Sequence, residues 1–162
     1  MSIEGTVRKF GDAIDTDSIL PGRYLSSQDI AFLGSKCMEA IDPGFAQRAS
    51  KGDVIVAGKN FGCGSSREHA VQAIMGAGIA CVVAASYARI FFRNSINLGL
   101  PIVVCPGAAA KALEGDLIQI DLQAAVVTVR GERFAMQPFP AFLQDIVRLG
   151  GLVPYVRRQL EQ

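Results

Sequence analysis

Residues 53–105 read DVIVAGKNFGCGSSREHAVQAIMGAGIACVVAASYARIFFRNSINLGLPIVVC, and this stretch decides the fold. DVIVAG is a short β-branched run of the kind that forms a buried strand. GKNFGCGSS is a glycine-rich loop, and Arg67–Met75 has helical composition, with Gly76 and Gly78 as stop signals. IACVVAAS is a second buried strand. Residues 88–98 place Ile90, Phe91, Asn94 and Leu98 at helical spacing before Gly99, and LPIVVC is a third strand. Strand, loop, helix, strand, helix, strand in this order predicts parallel strands joined by crossover helices, an α/β fold.

Upstream, residues 3–10 read as a short strand, followed by a loop, GDAIDTDSILPGRYL, and a weakly helical stretch over 28–42. Pro43-Gly44 breaks the chain before a short helix at Phe45–Ala49. Beyond Pro106 the pattern changes. GDLIQIDL and AAVVTVRGERFAM predict short antiparallel strands, then a helix over Pro140–Leu149 and a last one in VPYVRRQLEQ. No composition shift marks a linker, so residues 1–162 are expected to form a single domain.

Composition narrows the function classes. Half of the 162 residues are apolar and 19% are charged, which excludes a disordered or highly charged tail. The net charge of +1 leaves no global footprint for nucleic acid or a membrane surface. The most apolar stretch, Ile79–Phe92, is interrupted by Ser86 and Arg89 and is shorter than a membrane span. The opening MSIEGTVRKFGDAIDTD lacks an apolar run, so no signal peptide is expected. Cys37, Cys63, Cys81 and Cys105 form no C-x-x-C pair, and His69 is the one histidine. A zinc site or an iron–sulfur cluster held by this chain is therefore not expected, and the cysteines suit a reducing cytoplasm.

The chemistry concentrates in Gly58–Ala70, GKNFGCGSSREHA. Gly62 and Gly64 free the backbone to aim N–H groups at one point where a helix starts, which makes an anion site. Ser65 and Ser66 add hydroxyls there, and Arg67 adds a planar cation suited to a carboxylate. Ser65-x-x-Glu68 also matches a capping box, so a well-capped helix after a tight turn is the competing reading. The stretch lacks G-x-S-x-G and the phosphate-loop pattern. Its G-x-G-x-x-R is a broken dinucleotide fingerprint with no acid from His69 to Leu113. His69 reads as structural, with a Ser–His pair as the alternative. Cys63 reads as a small packed residue, and Asp15 and Asp17 read as a loop with an Asx turn.

Three motifs in order carry a family resemblance: DTD-x-I-x-P-x-x-Y-L at Asp15–Leu25, GKNFGCGSSREHA at 58–70, and SYARIFFRN-x-I-N-x-G-L-P at 86–101. They resemble the small subunits of 3-isopropylmalate dehydratase and homoaconitase and the fourth domain of aconitase. The resemblance implies a swivelling β/β/α domain, with parallel strands and crossover helices plus a few antiparallel strands. It implies a hydro-lyase that isomerises a malate-type acid by dehydration and rehydration, active only with a large subunit. That partner holds a 4Fe–4S cluster, and this chain binds none. By motif position, Ser65 is the base, Asp17 an active-site acid, and Gly64, Ser66 and Arg67 hold a substrate carboxylate. Tyr24, Leu25, Ser26 and Ser27 match the substrate-reading loop. Ser26-Ser27 is neither the arginine of homoaconitase-like members nor the apolar residue that goes with an isopropyl group. Isopropylmalate in leucine biosynthesis is the expected substrate, with homoaconitase, dimethylmalate or methylmalate chemistry as alternatives. A carboxylate-binding module without turnover is a further one. Homo-oligomers are expected as an option for the isolated chain, because exposed partner surface tends to self-associate.

Overall fold

The computed structural model describes residues 1–162. In chain order the elements are β1 (Ser2–Lys9), α1 (Thr16–Ile19), α2 (Ile30–Ser35), α3 (Phe45–Arg48), β2 (Val54–Ala57), α4 (Glu68–Gly76) and β3 (Cys81–Ala84). Then follow α5 (Arg89–Leu98), β4 (Ile102–Val104), α6 (Pro106–Lys111), β5 (Leu117–Asp121), β6 (Val126–Val129), β7 (Glu132–Ala135), α7 (Ala141–Arg148) and α8 (Leu152–Leu160).

The seven strands form one sheet in the order β4-β3-β2-β1-β5-β6-β7. β4, β3, β2 and β1 are parallel, with Val54 opposite Cys81 and Val7 opposite Val54. From β1 onward the pairing is antiparallel through β5, β6 and β7. This is the expected α/β architecture, and its two halves differ for a physical reason. Every residue of β2 and β3 is buried, because the crossover helices α2, α4 and α5 pack in one layer on one face of the parallel strands, and α6 packs on β3 together with β6 and β7. In β5 only Ile118 and Ile120 are buried, and their neighbours face water. The sheet curls so far that the chain after β7 returns to β4, where the Gln137 N–H donates to the Val104 carbonyl at 3.0 Å.

The expected loop between Gly11 and Leu25 holds two turns of structure, α1 and a 3-10 turn at Gly22–Tyr24. Asp15 starts α1 by accepting from the Ser18 N–H at 2.7 Å, a cap that composition alone made look like a loop. The helix α6 was not foreseen either. Pro106 occupies its first turn, and Ala108 and Ala109 pack inward, so burial rather than length sustains it.

Cys37 and Cys81 sit in the core, and burial raises both thiols above their ordinary value because the thiolate would lose its hydration. The unfolded chain sheds those protons from about pH 8.5 upward while the folded chain retains them, so stability falls as pH rises. The slope is about 1.4 kcal/mol per pH unit for each thiol. Urea midpoints are expected to fall between about pH 8 and about pH 10, and to fall less in a Cys37→Ala, Cys81→Ala double variant. Equal pH slopes for the two proteins would contradict this origin.

Candidate active site

The carboxyl ends of β1, β2 and β3 lie at one edge of the sheet, where open α/β folds bind ligands. The loops leaving these strands converge there. Thr16 comes from the first, Gly62 to Arg67 from the second, and Ala88 to Asn94 from the third with the start of α5. Together they enclose a cavity of about 210 Å³.

Two bridges hold the loops. Cys63 pairs with Asp15, through a Thr16 N–H to Cys63 carbonyl bond of 2.8 Å and a Gly62 N–H to Ile14 carbonyl bond of 2.7 Å. Phe61 pairs with Tyr87, and the Phe61 and Phe91 rings meet edge to face with centroids 5.3 Å apart. Gly62 lies against Phe91 at φ +81°, and a Cβ there would be 2.1 Å from Phe91 Cγ. Only glycine satisfies both the dihedral and the contact.

Past this anchored segment the chain is open to water: Gly64, Ser65 and Ser66 are exposed. Their backbone N–H groups, and those of Glu68 and His69, donate to no acceptor in the chain. The anion-site expectation therefore meets a cluster of free donors beside the start of α4. The capping-box expectation does not hold. Arg67 is the N-cap, with φ −117° and ψ 114° and no side-chain cap bond, and its N–H is taken by the Ser65 carbonyl at 3.0 Å. That turn starts the helix beyond the reach of a capping hydroxyl from Ser65, so both serine side chains stay free of capping duty.

The DTD residues divide their work. Asp15 caps α1, Thr16 is buried in the cavity wall, and Asp17 is ion-paired with the Arg67 guanidinium. Arg67 is mostly shielded, with a side-chain exposure of 23%, so Asp17 fixes the guanidinium where it borders the cavity. Gly22, two residues before the segment expected to read the substrate, lies beside the same group, since a Cβ there would be 3.7 Å from Arg67 Nη1. Tyr24, Leu25, Ser26 and Ser27 themselves do not line the cavity. The Tyr24 hydroxyl donates to Glu39 at 2.6 Å, and the Ser27 hydroxyl accepts from the Asp29 N–H at 3.2 Å. Ser26 is exposed. No side-chain hydrogen bond joins His69 to Ser65, and Cys63 is half-buried.

Three cavity residues escaped the sequence reading. Thr16 was passed over as a loop residue. Arg89 and Asn94, on the first turns of α5, enter the sequence analysis only as a break in an apolar stretch and as part of a helix pattern. The available signal was the acid-free run from His69 to Leu113, which leaves Arg89 without a neutralising neighbour in sequence. No three His, Cys, Asp or Glu side chains converge on a point that could hold a metal ion. Chemically the cavity offers free N–H donors, the three hydroxyls of Thr16, Ser65 and Ser66 and two guanidinium groups, a set suited to a small carboxylic acid.

Residues 6–106 match the family described as Aconitase C-terminal domain. The chain is 53% identical over 163 residues to the 3-isopropylmalate dehydratase small subunit of Moorella thermoacetica, spanning 99% of this chain and 98% of that one. It is 48% identical over 158 residues to the 2,3-dimethylmalate dehydratase small subunit of Eubacterium barkeri, spanning 96% and 97%. The crystal structure of 3-isopropylmalate dehydratase from Methanocaldococcus jannaschii superimposes with a TM-score of 0.93 at 43% identity, over 98% of this chain and 95% of that one.

Proposed function

Because this chain belongs to the aconitase C-terminal domain family, among the small subunits of 3-isopropylmalate dehydratase, we propose that it is the small subunit of a heteromeric hydro-lyase. The reaction is the interconversion of 2-isopropylmalate and 3-isopropylmalate by dehydration and rehydration, a step of leucine biosynthesis. The observation that carries the site roles is the cavity itself, where Ser65, Ser66 and Arg67 meet and Asp17 holds the arginine.

Ser65 takes the proton alpha to a substrate carboxylate. An ordinary serine is a poor base, and the free N–H groups around it together with the Arg67 cation lower the cost of its alkoxide. Ser66 and the part of the Arg67 fork not used by Asp17 hold the carboxylate and orient the carbon acid towards Ser65. Gly64 leaves room for that approach, since a Cβ there would come within 3.3 Å of Thr16 Oγ1. The Tyr24–Ser27 segment, which follows Gly22 beside Arg67 and lies outside the cavity that this chain forms alone, reads the alkyl branch of the substrate.

The residues of this chain do not fit an iron–sulfur cluster. Cys37, Cys81 and Cys105 are buried, Cys63 is alone near the cavity, and no ligand set converges. The cluster belongs in the proposed large subunit, where its chemistry would be Lewis acidity towards a hydroxyl. No helix is long and apolar enough to cross a membrane, and the four free cysteines suit the proposed cytoplasmic location.

The test is to co-purify the chain with its large subunit, rebuild the cluster anaerobically and follow alkene absorbance. Isopropylmalate, 2,3-dimethylmalate, homocitrate and citrate would be compared, and isopropylmalate is expected to give the highest kcat/KM. The likeness to the Eubacterium barkeri protein favours dimethylmalate as the second reading, and a preference for that acid would select it. An intact complex that forms no alkene from any of the four would overturn the hydro-lyase reading.

A further inference from the structure

A malate-type acid carries two carboxylates at opposite ends of a four-carbon backbone, and the Ser65–Arg67 loop accounts for one. The second needs its own donor, and Arg67 has little left to offer because Asp17 already occupies part of its fork. The other cationic side chain lining the cavity is Arg89, on the facing wall at the start of α5. Arg89 is exposed, and it makes no ion pair or side-chain hydrogen bond. Asn94 lines the same wall and is likewise free of side-chain hydrogen bonds. The other cavity arginine, Arg67, is by contrast paired with Asp17.

The wall is rigid where it holds Arg89. The Ala88 N–H donates to the Phe61 carbonyl at 3.0 Å, and the Tyr87 hydroxyl lies 2.8 Å from the Val82 carbonyl and 2.9 Å from the Val103 carbonyl. Arg89 therefore leaves a fixed backbone point with an unconstrained guanidinium, ready to close on an anion without first breaking a protein contact. From this arrangement we infer that Arg89, assisted by Asn94, binds the second carboxylate of the substrate, so that the cavity selects dicarboxylic acids through two arginines at the starts of two different helices. This inference rests on the proposed hydro-lyase reading for its substrate, but not for its chemistry.

The assay uses the reconstituted complex and Arg89→Gln, Arg89→Lys and Asn94→Ala. A lost charge-assisted hydrogen bond corresponds to about a 10- to 100-fold rise in KM. Arg89→Gln is expected to show that rise with kcat changed by no more than about threefold, Arg89→Lys to recover part of it, and Asn94→Ala to show a smaller rise. An unchanged KM in Arg89→Gln, or a kcat loss without a KM change, overturns the inference while leaving the hydro-lyase reading intact. A second readout does not depend on turnover. Succinate and butyrate are titrated into the nitrogen-15-labelled chain, and the Arg89 Nε–Hε resonance is followed. Succinate is expected to shift it much further than butyrate does. Equal shifts, or none, overturn the inference even if the complex turns over no malate at all.

Discussion

Ser65→Ala is expected to lower kcat of the reconstituted complex by about a thousandfold, within the range of a lost general base. The size follows from the role. The proton alpha to a carboxylate is weakly acidic, and no other base lines the cavity. The substitution separates chemistry from folding, because Ser65 is exposed and caps no helix. A surface change of this kind moves stability by about 0.5 kcal/mol or less. The variant should therefore melt with the native chain, assemble with the large subunit and bind substrate with a similar KM. Ser66→Ala is the control, expected to act mainly on KM because its hydroxyl holds the carboxylate. Turnover near the native rate in a folded, assembled Ser65→Ala complex would remove Ser65 from the mechanism.

Gly62→Ala is expected to destabilise the chain by about 2–5 kcal/mol. About 1–2 kcal/mol comes from a left-handed dihedral at a residue with a Cβ. A further 1–3 kcal/mol, roughly, comes from forcing that atom into a filled space. The occupied space is the Phe91 ring, whose Cγ would be 2.1 Å away. Gly115→Ala supplies the comparison. Gly115 has φ +86° with nothing within 4 Å of a built Cβ, so it carries the dihedral cost alone. For a chain of this size the Gly62 variant should melt about 10 °C below the native protein. The Gly115 variant should lose only about a third of that. Because Phe91 belongs to α5, the displaced ring would also move the cavity wall that carries Arg89, so activity in the surviving folded fraction should fall as well. Equal melting temperatures for the two variants would show that the loop yields to Phe91 without strain.

The sheet was legible because its signal is local. DVIVAG, IACVVAAS and LPIVVC are continuous apolar runs, and continuous runs are what doubly covered strands require. The stop at Gly99 was legible for a similar reason, since the residue adopts φ +89° at the C-cap of α5. Short elements were not. The first turn of α1 depends on one Asp15 bond, and α6 depends on two alanines packing against strands distant in sequence. The Ser65–Glu68 match misled because a four-residue pattern does not encode the backbone dihedral of the residue between loop and helix, here Arg67.

By itself the sequence determined the parallel half of the sheet, the crossover helices and the contiguous Ser65-Ser66-Arg67 group, because each depends on residues close together along the chain. The tertiary structure alone decided which aspartate of DTD serves Arg67, and that Tyr24 turns to Glu39 and away from the cavity. It also decided that Arg89 and Asn94 face the serine loop across one cavity. Asp17 and Arg67 are 50 residues apart, and no local pattern records such a pairing. Their meeting is imposed by the parallel register of β1, β2 and β3, which brings three loop origins to one edge of the sheet.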